Sequence, residues 1–170
     1  MKTLGIDIGR VIIDGGSHPN GGDTAFFNGD TATLLRTPAV AGAFDSIARL
    51  TTLFNHRVWL VSKAGPRVQQ RSLDWLHHHD FFTHTGIPAT NVRFCLRRAD
   101  KAAHCAELAI THFVDDNLEV HQALAGLVPH RYLFGPQRHS NLPRDLVPTL
   151  TWPDAERAIT QTIALSPVRP

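Results

Sequence analysis

The chain has 170 residues, 42% of them hydrophobic and 19% charged, with a formal net charge of +2. That length and apolar content suit one folded domain with a real core, and exclude a chain disordered throughout. The near balance of 17 basic and 15 acidic residues gives no indication of a nucleic-acid binder. No apolar run approaches the ~20 residues that span a bilayer, so no membrane partner is expected. MKTLGIDIGR carries Asp7 and lacks a long apolar stretch, which predicts a cytoplasmic chain without a secretory signal. Cys95 and Cys105, the two cysteines, form neither a disulfide framework nor a structural zinc pattern.

In chain order, the first apolar run is Thr3–Ile8 (TLGIDI). The excursion Asp14–Pro38 follows it, rich in Gly, Asn, Asp and Thr, with Phe26 and Phe27 as bulky apolar residues. An excursion of that length is usually functional or disordered. The two phenylalanines suit closure over a ligand and pinning of the loop equally well. Val40–Phe54 has the three- and four-residue apolar spacing of a helix. Val58–Ser62 (VWLVS) is a second strand, and Pro66 suits the first position of a helix using Val68, Leu73, Trp75 and Leu76. Val92–Cys95 is a third strand, Lys101–Leu108 a helix, His112–Asp115 a fourth strand, and Leu118–Leu127 a helix. A weaker strand covers Arg131–Phe134. Pro136–Pro148 reads as a polar linker to a last helix starting near Pro153, with Ala155, Ile159 and Ile163 spaced at four. Short buried strands alternating with helices predict an α/β fold: a three-layer, Rossmann-like domain with a mostly parallel central sheet and a minimal cap. The boundaries expected are one domain over 1–170, with 14–38 as the flap.

In parallel sheets ligands bind beyond the C-terminal strand ends, and polar residues gather there. Asp7 ends the first run, Ser62 the second, and Asp115 the fourth with Asp116 next to it. Three carboxylates together form a hard oxygen site, which suits Mg²⁺; without a cation they repel and at least one pKa rises. Lys101, at a helix start, would help to neutralise a phosphoryl group. Ser62 and backbone N–H groups after the first strand would donate to its oxygens. Each has a plainer reading: Asp7 as a strand-end cap, Ser62 as a cap for the Pro66 helix, Lys101 as part of a charged surface turn with Arg97, Arg98 and Asp100. Lys63 is either a substrate contact or a solvated lysine. Arg67 and Arg71, one helical turn apart, either reach a second acidic group on a substrate or form a solvated face. His77–His79 point different ways on a helix and do not chelate. His112 reads as a satisfied core or edge histidine, and Trp59 and Trp75 as core.

Taken in order, LGIDIGRVIID (Asp7), VWLVSK (Ser62), RRADKAAHCAEL (Lys101) and THFVDDN (Asp115, Asp116) resemble the four motifs of the haloacid dehalogenase-like (HAD) hydrolase superfamily, over residues 3–134. A two-component receiver domain carries similar groups in the opposite order. The HAD resemblance implies Asp7 as the nucleophile that forms an aspartyl-phosphate. It implies Asp7, the Gly9 carbonyl, Asp115 and Asp116 as the Mg²⁺ set, Ser62 as a phosphoryl-oxygen donor, and Lys101 as the cation on nucleophile and phosphate. It departs at Gly9, where the family's phosphatases usually carry a second Asp that protonates the leaving oxygen. Such general acid–base help is worth about 10²–10⁴-fold. Asp14 is a candidate substitute, and Arg10 a candidate contact to substrate phosphate. The expected function is a Mg²⁺-dependent phosphoric monoester hydrolase, acting on a phosphorylated substrate of unspecified size. The alternatives are a catalytically weakened binding or regulatory protein on the same fold, and a dehalogenase-type hydrolase.

Overall fold

The computed structural model describes residues 1–15, 29–137 and 141–165. Its six strands are β1 (Leu4–Ile6), β2 (Val58–Lys63), β3 (Val92–Cys95), β4 (His112–Asp115), β5 (His130–Phe134) and β6 (Leu146–Thr149). They form one sheet in the order β3-β2-β1-β4-β5-β6, and every pairing is parallel. The fold is therefore the α/β arrangement expected from the alternation of strands and helices.

The helices are α1 (Thr31–Leu35), α2 (Ala43–Leu53), α3 (Pro66–His78), α4 (Phe81–Thr85), α5 (Lys101–Glu107), α6 (Leu118–Ala123) and α7 (Trp152–Ala164). Side chains alternate across the sheet, and two cores result. Leu60 and Val114 join Ile47, Trp75 and Ile159 under α2, α3 and α7. Val61 and Phe113 face the other way, onto Cys105 of α5, Val120 of α6 and Leu124 just after it. Gly5 sits at the centre of β1 because Phe113 crosses over it: a Cβ there would lie 2.5 Å from Phe113 Cδ2.

Two helix starts have clear local causes. Pro66 opens α3, where its missing N–H costs nothing. Thr151 and Asp154 form a reciprocal capping box at the start of α7.

The structure corrects several expectations. Leu146–Thr149 is a sixth strand and not linker, and its buried ends, Leu146 and Thr149, flank exposed Val147 and Pro148. Proline lacks a ladder donor, which masks a strand in sequence but is tolerated on an edge. Strand β1 is three residues rather than six, because the chain turns straight after Asp7, with Ile12 N and Ile13 N donating to Ile8 O. The five-residue helices α1 and α4 are too short for a periodic signal. Trp59 is only partly buried, and the Arg93 guanidinium lies 4.5 Å above its ring.

Within the expected flap, α1 docks on α3. Leu34 is fully buried, Trp75 Nε1 donates to Thr37 O at 2.9 Å, and His79 Nε2 lies 2.8 Å from Leu35 O. Arg71 is buried and donates to Gly29 O, so it is neither a solvated side chain nor a pocket residue. Phe26 and Phe27 lie outside the described residues. No helix among the described residues is long and apolar enough to cross a membrane.

Candidate active site

The sheet order places a topological switch between β1 and β4, the position where open α/β sheets bind ligands. β1 pairs with β4 so that Ile6 lies opposite Val114, and Asp7 N donates to Val114 O at 3.0 Å. The next residue on each strand is an aspartate, so Asp7 and Asp115 emerge side by side. Ser62, on the other neighbour of β1, ends at the same edge of the sheet.

Lys101 reaches this edge from the first residue of α5. A 3-10 turn over Arg98–Asp100 precedes it, held by a two-pronged contact from Arg97 to Asp100 at 3.0 and 2.9 Å. The lysine is 1% exposed, with its ammonium 2.7 Å from Asp115 Oδ2 and 2.9 Å from Asp7 Oδ1. It is therefore a buried bridge and not a surface residue. Asp115 is fully buried, and its second oxygen accepts from Asn117 N at 2.9 Å. Asp116 stands at the rim, with Oδ2 3.9 Å from the Arg10 guanidinium. Asp7, Asp115 and Asp116 each offer an oxygen within 4.8 Å of the others.

The electrostatics follow from burial. Burial pushes Asp115 up to about 7, and the charge of Asp7 adds to this; Lys101 and the Asn117 N–H oppose it. Lys101 is shifted upward too, because its two carboxylates outweigh the burial that disfavours its charge. An ammonium touching two carboxyl oxygens stays charged at neutral pH, so Lys101 carries the positive charge of the pair. The carboxylates of Asp7, Asp115 and Asp116 form an all-oxygen donor set of the kind that suits a hard divalent cation.

The pocket over this cluster is lined by Asp7, Gly9, Arg10, Ser62, Lys63, Lys101, Asp115 and Asp116. These eight residues, expected together from the sequence, thus meet in one place, whereas the other candidates, Asp14, Arg67 and Arg71, are not among the described lining residues. Ser62 is buried and Lys63 exposed at its edge. The sequence reading missed Arg98 and Asn117, which also line the pocket. Arg98 lies 3.7 Å from Glu119 across the mouth. Asn117 caps α6, accepting from Glu119 N at 3.0 Å. His121 was missed as well. It is buried, with Nε2 3.0 Å from the backbone oxygen of Asp115. Burial holds it down at about 4, so it is neutral and supports the strand end without adding charge. Its only sequence signal is a histidine on the apolar face of a short helix.

No protein-family model and no curated protein matches the sequence. Among solved structures, the chain is similar to a haloacid dehalogenase-like family hydrolase from Xanthomonas campestris, with a TM-score of 0.56, 12% identity, and 96% of each chain covered. It is also similar to a putative haloacid dehalogenase-like hydrolase from Burkholderia xenovorans, with a TM-score of 0.59 and 11% identity, over 96% of this chain and 99% of that one. The chain has the HAD-like hydrolase fold. At these identities the likeness concerns the fold. The segments that carry Asp7, Ser62, Lys101 and Asp115–Asp116 lie just after β1, on β2, at the start of α5 and at the end of β4, and these five residues line the pocket just described.

Proposed function

We propose that this protein is a Mg²⁺-dependent phosphoric monoester hydrolase with Asp7 as its nucleophile, one domain over 1–170, and the 14–38 segment as a minimal cap. The observation that carries the reading is the buried Lys101 ammonium spanning Asp7 and Asp115, with Asp116 close by. Such a constellation is costly to bury for structural purposes alone, and it places a carboxylate, a cation and a hydroxyl around one open pocket. Asp7, Asp115, Asp116 and the Gly9 carbonyl would hold the ion, which would supply charge neutralisation for the phosphoryl oxygens.

The chain's own groups do the rest. Lys101 orients Asp7, its ammonium lying 2.9 Å from Oδ1. The Asp7 carboxylate attacks phosphorus, giving an aspartyl-phosphate that water then hydrolyses. Ser62 donates to a phosphoryl oxygen, and Arg10 and Lys63 meet substrate charge at the rim. Asp115 holds Lys101 in place through Oδ2.

The test is turnover of an activated aryl phosphate with and without Mg²⁺, alongside Asp7→Asn. Mg²⁺-dependent phosphate release that disappears in the variant is expected. Mg²⁺ binding without turnover would replace the reading by a binding or regulatory protein. Halide release from a haloacid, with no phosphate release from the ester, would replace it by dehalogenase chemistry.

A further inference from the structure

The turn from β4 into α6 carries Asp115 and Asp116 in succession, and both carboxylates belong to the oxygen cluster. A peptide group is planar, so fixing its carbonyl also restricts how the residues on either side leave the backbone. Val114 O still belongs to the pairing with β1, where it accepts from Asp7 N at 3.0 Å. Past it, two side chains take hold of the next two carbonyls. His121 Nε2 lies 3.0 Å from Asp115 O; a carbonyl only accepts, so Nε2 carries the ring proton. Gln137 Nε2 donates to Asp116 O at 3.1 Å and also to Phe134 O at 2.9 Å. His121 comes from α6 and Gln137 from the segment after β5, so the two peptides are tied to different parts of the fold.

The support for His121 is itself built from buried polar groups. His121 is 0% exposed, and its Nδ1 has no hydrogen-bond partner among the described residues. Arg131 of β5 is 3% exposed and donates through Nη1 to His121 O and through Nη2 to Asp145 Oδ2. Its Nε also has no partner among the described residues. A buried nitrogen left unmatched costs stability, so packing alone would favour apolar side chains at both positions. What the pair secures is direction: Arg131 fixes the backbone of His121, and the ring fixes the peptide between Asp115 and Asp116. Mg²⁺ demands near-ideal placement of its oxygens, and groups that orient the ligands of a metal set its affinity.

We propose that His121 and Gln137 are positioning residues, which hold the Asp115 and Asp116 peptides so that the two carboxylates keep the spacing a divalent cation needs, with Arg131 bracing the His121 turn. This rests on the reading of Asp7, Asp115 and Asp116 as the cation set. Neither His121 nor Gln137 is among the described residues that line the active pocket. They act on the carboxylates through the backbone, so their effect falls on the affinity for the ion and not on the KM for the phosphate ester.

The experiment titrates Mg²⁺ alone into the metal-free protein by calorimetry, for the parent, His121→Leu, His121→Gln and Gln137→Met. The leucine and methionine remove the donor, whereas the glutamine presents an amide N–H in place of the ring N–H. His121→Leu and Gln137→Met are expected to bind Mg²⁺ about 10–100-fold more weakly, and His121→Gln to recover most of that loss. At saturating Mg²⁺ the KM for an aryl phosphate should stay at the parental value. Urea unfolding in EDTA runs alongside, and Gln137→Met, at a half-buried position, keeps the test decisive if His121→Leu does not fold. Parental Mg²⁺ affinity in the variants without the donor would overturn the proposal. So would an equal loss in His121→Leu and His121→Gln that follows the urea midpoint, since that marks a purely structural role. A parent that binds Mg²⁺ with the expected variant pattern but releases no phosphate would overturn the phosphatase reading and leave the positioning role standing. A parent that binds no Mg²⁺ would overturn both.

Discussion

Replacing Lys101 by methionine keeps the aliphatic stem and removes the charge. The lysine is 1% exposed and touches carboxyl oxygens at 2.7 and 2.9 Å, so its loss strands two acidic groups in the protein. Asp115, at 0% exposure, would keep the Asn117 N–H as its partner among the described residues. Breaking a buried pair from one side costs about 3–5 kcal/mol. At roughly 2–4 °C per kcal/mol for a chain of this size, the unfolding midpoint should drop by roughly 6–20 °C. The sign of the pH dependence follows from Asp115. Burial already holds its folded pKa above that of the unfolded chain, and losing the ammonium raises it further. An acid with a raised folded pKa is more stable in the fold when protonated, so the variant's deficit should be small near pH 5 and grow through pH 8. Mg²⁺ should recover part of it, because an ion that binds only the folded cluster stabilises by mass action. Thermal unfolding by circular dichroism at pH 5, 6.5 and 8, in EDTA and in Mg²⁺, measures all three effects. A variant that melts with the parent at pH 8 in EDTA would refute the buried charge bridge.

Other consequences can be checked the same way. Gly5→Ala would drive a Cβ to 2.5 and 2.6 Å from Phe113 ring atoms and 2.9 Å from Ile110 Cδ1; a loss of about 1–3 kcal/mol in urea unfolding is expected, and a neutral result would contradict the close approach of β1 and β4. Trp152→Phe removes a 2.7 Å hydrogen bond to Val11 O, in the turn that carries Arg10, and should cost about 1–3 kcal/mol by leaving that carbonyl unpartnered, seen as a lower urea midpoint at unchanged slope. His112 is 1% exposed, bonded to Thr111 and Thr162, and pushed down to about 3 by burial and by neighbouring His130 and Lys2. Its stabilising effect is complete above the unfolded pKa of about 6.5 and is lost as pH falls toward 3, at about 1.4 kcal/mol per pH unit. Parent stability should therefore fall more steeply than that of His112→Gln between pH 6 and 4, and equal slopes would place His112 in solvent-like surroundings.

The alternation of apolar runs with helical spacing was enough to locate five strands and the longer helices, because each buries enough surface to impose its own period. Ser62, Asp7 and Asp115 were visible because they end apolar runs, where a polar side chain is unexpected, whereas Lys101, in a charged turn at a helix start, stood out only through the order of the four motifs. Short elements were not visible. Leu146–Thr149 carries a proline and only two buried residues, and α1 and α4 span little more than one turn. Arg98 and Asn117 gave no signal, since a charged turn and a helix cap look alike wherever they occur. The burial of Arg71 was also hidden, because its partner is a backbone carbonyl 42 residues away.

Local periodicity and residue chemistry could say which segments are strands and which side chains are out of place in them, since both depend on near neighbours in the chain. They could not say that Lys101 spans Asp7 and Asp115, 94 and 14 positions away, or that Arg10 sits in a left-handed turn beside Asp116. Those facts arise from the order of strands in the sheet, which sets β1 against β4 and lowers α5 onto their ends. Distances between remote groups exist only once the core has closed, and they turn a scattered set of polar residues into one electrostatic unit.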